Sequence, residues 1–262
     1  MKKLFTLLFA VMAGVGMMSA ADFSVGGLYY DILSSTSSNQ KCASVTYYKN
    51  YSYNSTYVSG DVVIPDSVYY NGKYYHVISI GHSAFYACSN MTSITLPSSI
   101  SSIEDYAFYG CSGLRYINYN VARDCNIGNN FAFASVDSIL ELRIGKYVNN
   151  FPFMNRPIRI KEIMLDSENG DFSVQESVLF NKDMTELLCY PSLKESVHYD
   201  IPNGVQYIYC WSFYNCNNLR SISIPNSLIT WEHSFWQAQV HDGFSGENLT
   251  TIYWNTENKF FY

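Results

Sequence analysis

The segment Ala84-Phe85-x-x-Cys88-x-x-Met91-x-x-Ile94 returns 23 residues later as Ala107-Phe108-x-x-Cys111-x-x-Leu114-x-x-Ile117. A third copy reads Ser212, Phe213, Cys216, Leu219 and Ile222, and Ser234-Phe235 opens a final, degenerate one. A unit this short buries its apolar side chains only when successive copies stack. Self-similarity at a fixed short period therefore dictates a solenoid, whose repeated residues hold up a wall.

Each repeated position has a physical task. Met91, Ile94 and Leu96 turn inward along a short strand, as do Leu114, Ile117 and Tyr119, so Ser93, Thr95, Tyr116 and Asn118 face outward. Phe85, Phe108, Phe213 and Phe235 fill the far side of the interior as an aromatic ladder. Cys88, Cys111 and Cys216 read as a ladder of small buried thiols. Adjacent rungs lie about 5 Å apart, so a Cys88–Cys111 disulfide is the alternative. Pro follows the strand in Leu96-Pro97, Ile201-Pro202 and Ile224-Pro225, where its missing N–H ends the pairing.

Phe85 and Phe213 are 128 residues apart, which is not a multiple of 23, so at least one rung carries an insertion. Residues 1–21 read as a cleaved secretory signal: Lys2 and Lys3, an apolar run to about Met18, then Ser19-Ala20-Ala21. Residues 22–60, rich in Tyr, Ser and Thr with alternating stretches, predict a small β cap over the first rung. The solenoid is expected over 61–262, with regular rungs at about 80–125 and 205–228, irregular rungs over 126–204 and a degenerate last rung over 229–262. Asn71-Gly72 between Tyr-rich stretches predicts a tight hairpin, and the polar stretch 238–247 predicts a surface loop.

Composition narrows the function classes. The chain is 48% hydrophobic and 15% charged, which excludes general disorder. Loss of Lys2 and Lys3 leaves 14 Lys+Arg against 22 Asp+Glu, and no basic cluster is present. That argues against nucleic acid and anionic membrane surfaces as partners. No second apolar stretch is long enough to span a bilayer after signal cleavage. The seven Cys form no Cys-x-x-Cys pair, so no zinc site is indicated.

These residues resemble the BspA-like leucine-rich repeat family, the bacterial type with a 23-residue unit. The segments that carry the resemblance are Ile78-Ser79-Ile80-Gly81-His82-Ser83-Ala84-Phe85-Tyr86-Ala87-Cys88, the rung Ile103 to Ile117, Ile201-Pro202-Asn203-Gly204-Val205, and Val178-Leu179-Phe180-Asn181-Lys182-Asp183, which is similar to the family's inserted unit. The expected fold is a β-rich solenoid: a leucine-rich repeat right-handed superhelix of short parallel strands, with a small N-terminal β cap and an irregular inserted rung. The resemblance implies exported or surface-displayed proteins, some of them adhesins for host matrix proteins or other cells.

No catalytic signature accompanies the repeat: no Gly-x-Ser-x-Gly elbow, His-Glu-x-x-His or phosphate loop is present. The expectation is a non-enzymatic protein without metal or cofactor; a calcium site at Asp166, Glu168 and Asp171 is the weak alternative. The residues expected to bind are the outward strand positions Ser93, Thr95, Arg115, Tyr116, Asn118, Arg220, Ser221, Ser223, Thr251 and Tyr253, lining one continuous face. Tyr, Arg, Asn and Ser suit recognition surfaces, because Tyr gives contact area at low entropic cost. A protein ligand is the first expectation, and a glycan stacking on Tyr is the second. Asp66-Ser67-Val68 and Asp137-Ser138-Ile139 resemble an O-glycosylation acceptor triplet, with Ser67 and Ser138 as the hydroxyls.

Overall fold

The computed structural model describes residues 21–33, 40–47, 58–128, 131–153, 158–209, 211–229 and 249–254. All but the last residue of the signal expected over 1–21, together with Phe235 and the loop expected at 238–247, lie outside the described residues. The strands are β1 (Phe23–Val25), β2 (Leu28–Leu33), β3 (Cys42–Thr46), β4 (Gly60–Val63), β5 (Ser67–Tyr70), β6 (Lys73–Ile80), β7 (Met91–Leu96), β8 (Ser102–Ile103), β9 (Tyr116–Tyr119), β10 (Asn126–Ile127), β11 (Ser138–Ile144), β12 (Arg159–Leu165), β13 (Phe172–Gln175), β14 (Val178–Asn181), β15 (Glu186–Cys189), β16 (His198–Asp200), β17 (Tyr207–Ile208), β18 (Ser221–Ile224) and β19 (Thr251–Trp254).

One rung supplies two parallel sheets. After β7, Pro97 removes a donor and the chain turns, with the Ile100 N–H on the Pro97 carbonyl. It then adds β8 to a second sheet and returns through a turn carrying Ala107-Phe108. Strands β4, β7, β9, β11 and β12 form a five-stranded parallel sheet. Strands β3, β6, β8 and β10 run parallel in the other, which β1, β2 and β5 extend with antiparallel pairs. The hairpin at Asn71-Gly72 joins β5 to β6, and both turn residues have positive φ, 46° and 76°. That is the combination a tight hairpin turn requires.

Register places like residues in rows. Ile94, Ile117, Leu142 and Ile163 pair across the five-stranded sheet, as do Leu96, Tyr119 and Ile144, and all are buried. Each such side chain contributes about 1.5–3 kcal/mol by leaving water. Behind them Phe85 stacks on Phe108 (5.2 Å between centroids, planes 7° apart) and Phe108 on Phe133 (4.8 Å, 12°).

Phe133 marks a further repeat copy that departs from the strict motif. Ala132, Phe133, Val136, Ile139 and Leu142 occupy the places of Ala107, Phe108, Cys111, Leu114 and Ile117, 25 residues on, with Val136 where the thiol would be. The residue before that position is left-handed in every described copy: Ala87 (φ 55°), Gly110 (70°), Ser135 (60°) and Asn215 (54°).

The irregular region departs from the rung by two hairpins. Strands β13, β14 and β15 pair antiparallel, and β15 then pairs parallel with β17. Asn169 anchors the entry: its buried side chain donates to the carbonyls of Gly145 and Val148 and accepts from the N–H groups of Asp171 and Phe172, each at 2.8–2.9 Å. Beyond the insertion the apolar residues form a second core, from Val178 to Leu228, separate from the one running from Phe23 to Leu188. Tyr190 takes the place of the ladder Phe there, stacking on Phe213 at 5.3 Å.

Candidate functional site

The outer face of the five-stranded sheet is built by register. Asp61, Ser93, Tyr116, Glu141 and Glu162 form one row across the strands, and Val63, Thr95, Asn118, Arg143 and Met164 form the next. Neighbours within a row stand about 4.8 Å apart. Tyr116, 47% exposed, stands on the central strand β9 and Val63, 63% exposed, on the edge strand β4, so apolar area alternates with polar groups across the face.

The ends of these rows are held electrostatically. Ser93 Oγ and Thr92 Oγ1 donate to Asp61 Oδ1 at 2.7 and 3.0 Å, and these bonds hold the Asp61 carboxyl below its usual range. Arg143 Nε donates to Glu141, which holds the guanidinium charged. Arg115, expected on this face, is folded back. Its Nη1 donates to the carbonyls of Ser112 and Leu114 at 2.8 Å, with a longer contact to Ser138. Its charge is thereby directed at turn carbonyls of the wall.

Arg220, Ser221, Ser223, Thr251 and Tyr253 lie on a different sheet, formed by β16, β18 and β19. The ten expected residues are therefore carried by two separately paired sheets. The reason is the insertion: it takes the chain out of step, and β12 and β16 are not paired as strands.

Two residues on the second face were missed from the sequence, His198 and Asp200. His198-Tyr199-Asp200-Ile201-Pro202 precedes Ser221-Ile222-Ser223-Ile224-Pro225 by one 23-residue period, a signal that aligning the two prolines reveals. Register pairs His198 with Ser221 and Asp200 with Ser223. His198 Nδ1 lies 2.7 Å from Ser221 Oγ, and Nε2 lies 2.9 Å from Asp200 Oδ1. Ser223 and His198 hold the Asp200 carboxyl below its usual range.

Serine, imidazole and carboxylate in sequence are the parts of an acyl-transfer site. The sheet withholds the remaining part. Ser221 sits in the central strand, its N–H donates to the Val197 carbonyl, and backbone donors of a strand point sideways at neighbours. The cluster is a hydrogen-bonded surface network with Tyr253, 56% exposed, at its side.

The remaining expected residues fall as follows. Ser67 and Ser138 begin β5 and β11, each half-buried, and the apolar third residues of their triplets, Val68 and Ile139, are buried in the core. Asp166, Glu168 and Asp171 do not converge on one point. Asp171 is gripped at both oxygens by Arg123 (2.8 Å each), Glu168 pairs with Lys146 (2.9 Å) and Asp166 accepts the Glu168 N–H. Among the described residues no group of three or more His, Cys, Asp or Glu is arranged to hold a metal ion. Cys88, Cys111 and Cys216 are not joined in disulfides. No helix among the described residues is long and apolar enough to cross a membrane.

Comparison with known proteins places this geometry. The profile of the BspA type leucine-rich repeat region matches residues 46–181 and 189–259, in six copies. A search of curated proteins gave no match. Solved structures similar to this chain include the pneumococcal vaccine antigen PcpA (18% identity, 79% of this chain and 65% of that one, TM-score 0.41). A leucine-rich repeat protein from Eubacterium ventriosum matches at 20% identity over 74% of this chain and 57% of that one, with TM-score 0.44. One from Bacteroides ovatus matches at 21% identity over 79% and 48%, with TM-score 0.38. The chain thus spans less than two thirds of the length of each of these.

Proposed function

We propose that this chain, which belongs to the BspA-type leucine-rich repeat family, is a non-catalytic exported interaction protein that binds a protein ligand through the outer faces of its strands. One observation carries the reading. In-register rows put Tyr116 on the central strand of a rigid sheet, with Ser93 and Asn118 as close neighbours and the Asp61 and Glu141–Arg143 charges to either side, while Val63 and Thr95 extend the face toward its edge. A centre of aromatic and aliphatic side chains with a polar rim is how protein interfaces are composed. Such a sheet binds without reorganising, which lowers the cost of association.

Purified mature chain tested against immobilised host matrix proteins is the direct experiment. Tyr116→Ala should weaken a detected interaction by roughly tenfold, the loss typical of a central aromatic anchor. An unchanged affinity in Tyr116→Ala and in Tyr253→Ala together would remove both strand faces from consideration. Export is tested by the N-terminal sequence of the protein recovered outside the cytoplasm, expected to begin at Ala21 or Asp22.

A further inference from the structure

The outer face of the five-stranded sheet carries an unbalanced charge. Its two rows hold three carboxylates, Asp61, Glu141 and Glu162, against one guanidinium, Arg143. Asp61 accepts from the neutral hydroxyls of Ser93 and Thr92, which keep it ionised without cancelling its charge. At the other end Arg143 pairs with Glu141, and Glu162 stands exposed beside Glu141 on the edge strand β12. Three further cations are directed elsewhere: Arg115 to turn carbonyls, Arg159 to the Asp137 carbonyl at 3.2 Å and Lys161 to Glu195 at 4.0 Å. Acid therefore flanks Tyr116 on both sides along one row.

We propose that this face takes an extended segment of a partner protein that carries basic residues four positions apart with an apolar residue midway. The proposal rests on the reading that the strand face binds a protein, and it adds the chemistry of the ligand. Spacing sets the pattern. Asp61 and Glu141 stand three strand spacings apart, about 14 Å. An extended chain laid across the strands advances about 3.4 Å per residue and shows alternate side chains to one side, so its residues i and i+4 also span about 14 Å. Residue i+2 then comes down between Ser93 and Tyr116, where the exposed ring offers apolar contact. Arginine suits the ends, because its fork pairs with a carboxylate at two points and its plane stacks on a Tyr ring. Sulfated glycans and anionic lipids meet like charge here.

Fluorescence anisotropy of the labelled peptide Gly-Ser-Arg-Thr-Val-Thr-Arg-Ser-Gly with the mature chain tests the proposal. Binding is expected at about 0.02 M salt and should weaken several-fold at about 0.3 M. Asp61→Asn with Glu141→Gln, both isosteric, should weaken it by roughly tenfold or more. Glu176→Gln with Asp183→Asn removes the same charge from the hairpin insertion and should leave it unchanged. Moving the second Arg to i+3 turns it away from the face and should weaken binding. Absence of binding overturns the proposal, as does equal binding of a peptide with Glu in place of both Arg, or an equal loss in the two double variants. A matrix protein whose binding needs Tyr116 but ignores Asp61→Asn with Glu141→Gln would sink the basic-segment proposal alone and leave the strand-face reading standing.

Discussion

Cys111 lies one rung beyond Phe85, and its Sγ donates to the Phe85 carbonyl at 3.1 Å. The thiol thus serves the wall twice, as a small apolar filler and as a second donor to a turn carbonyl that also accepts the Cys88 N–H. Burial pushes the Cys111 thiol up from its ordinary value, and the neighbouring Cys88 adds to that shift.

Alkaline pH should therefore destabilise the fold through its thiols. Burial pushes Cys125 up to about 11 and Cys189 up to about 12. These groups stay neutral in the folded chain while the unfolded chain ionises them from about pH 8.5. Their contribution is full below that value and is lost as pH rises through the shifted ones. Buried Tyr30 and Tyr190, pushed up to about 12, add to the loss only above about pH 10. The urea midpoint should fall between about pH 8.5 and 9.5, and less so in a Cys125→Ala, Cys189→Ala variant.

Phe108 is stacked on both sides, by Phe85 and Phe133. Phe108→Ala should cost about 3–5 kcal/mol and Phe108→Leu markedly less, read from denaturant unfolding. A cost below about 1 kcal/mol for the alanine would mean that the ladder is not what holds the rungs.

Ala87 holds the left-handed conformation that Gly110 adopts one rung later. A Cβ there is strained by about 1–2 kcal/mol, partly offset by the flexibility glycine adds to the unfolded chain. Ala87→Gly should raise stability by about 0.5–1 kcal/mol, and Gly110→Ala should lower it by a similar amount. Paired urea titrations check both signs.

Asn169 satisfies two carbonyls and two N–H groups at once. Asn169→Ala removes all four of these bonds at the entry to the hairpin insertion, with the Gly145 carbonyl keeping only the longer one from the Val148 N–H, and should cost about 2–4 kcal/mol. Hydrogen exchange should speed first at the Asp171 and Phe172 amides if the side chain is what protects them.

The Asp61 carboxyl is held below its ordinary value of 3.8 by Ser93 first and Thr92 second. A depressed pKa contributes stability above the ordinary value that is lost as pH falls through the lowered one. Carbon-detected NMR titration of Asp61 should give a higher midpoint in Ser93→Ala than in the wild type. Equal midpoints would show that the two hydroxyls do not hold it.

The regular rungs were legible because period and burial coincide there. Ile94, Ile117 and Ile222 recur at one motif position and all are buried. The copy at Ala132 escaped because Val136 replaces the thiol and the spacing stretches to 25. The outward candidates were read correctly at Ser93, Thr95, Tyr116 and Asn118. Arg115 was not, because a long side chain leaving the strand can turn back onto carbonyls of its own turn. Nothing in residue type distinguishes the two outcomes.

The sequence by itself determined the stacking unit: which residues turn inward, where proline stops each strand and where the hairpins fall. These are local matters of periodicity and backbone chemistry. Only the tertiary structure decided that the outward residues are carried by two separately paired sheets and that His198 stands over Ser221. Those outcomes depend on how far an insertion displaces one rung from the next. That displacement is a sum over many packed contacts and is carried by no single motif.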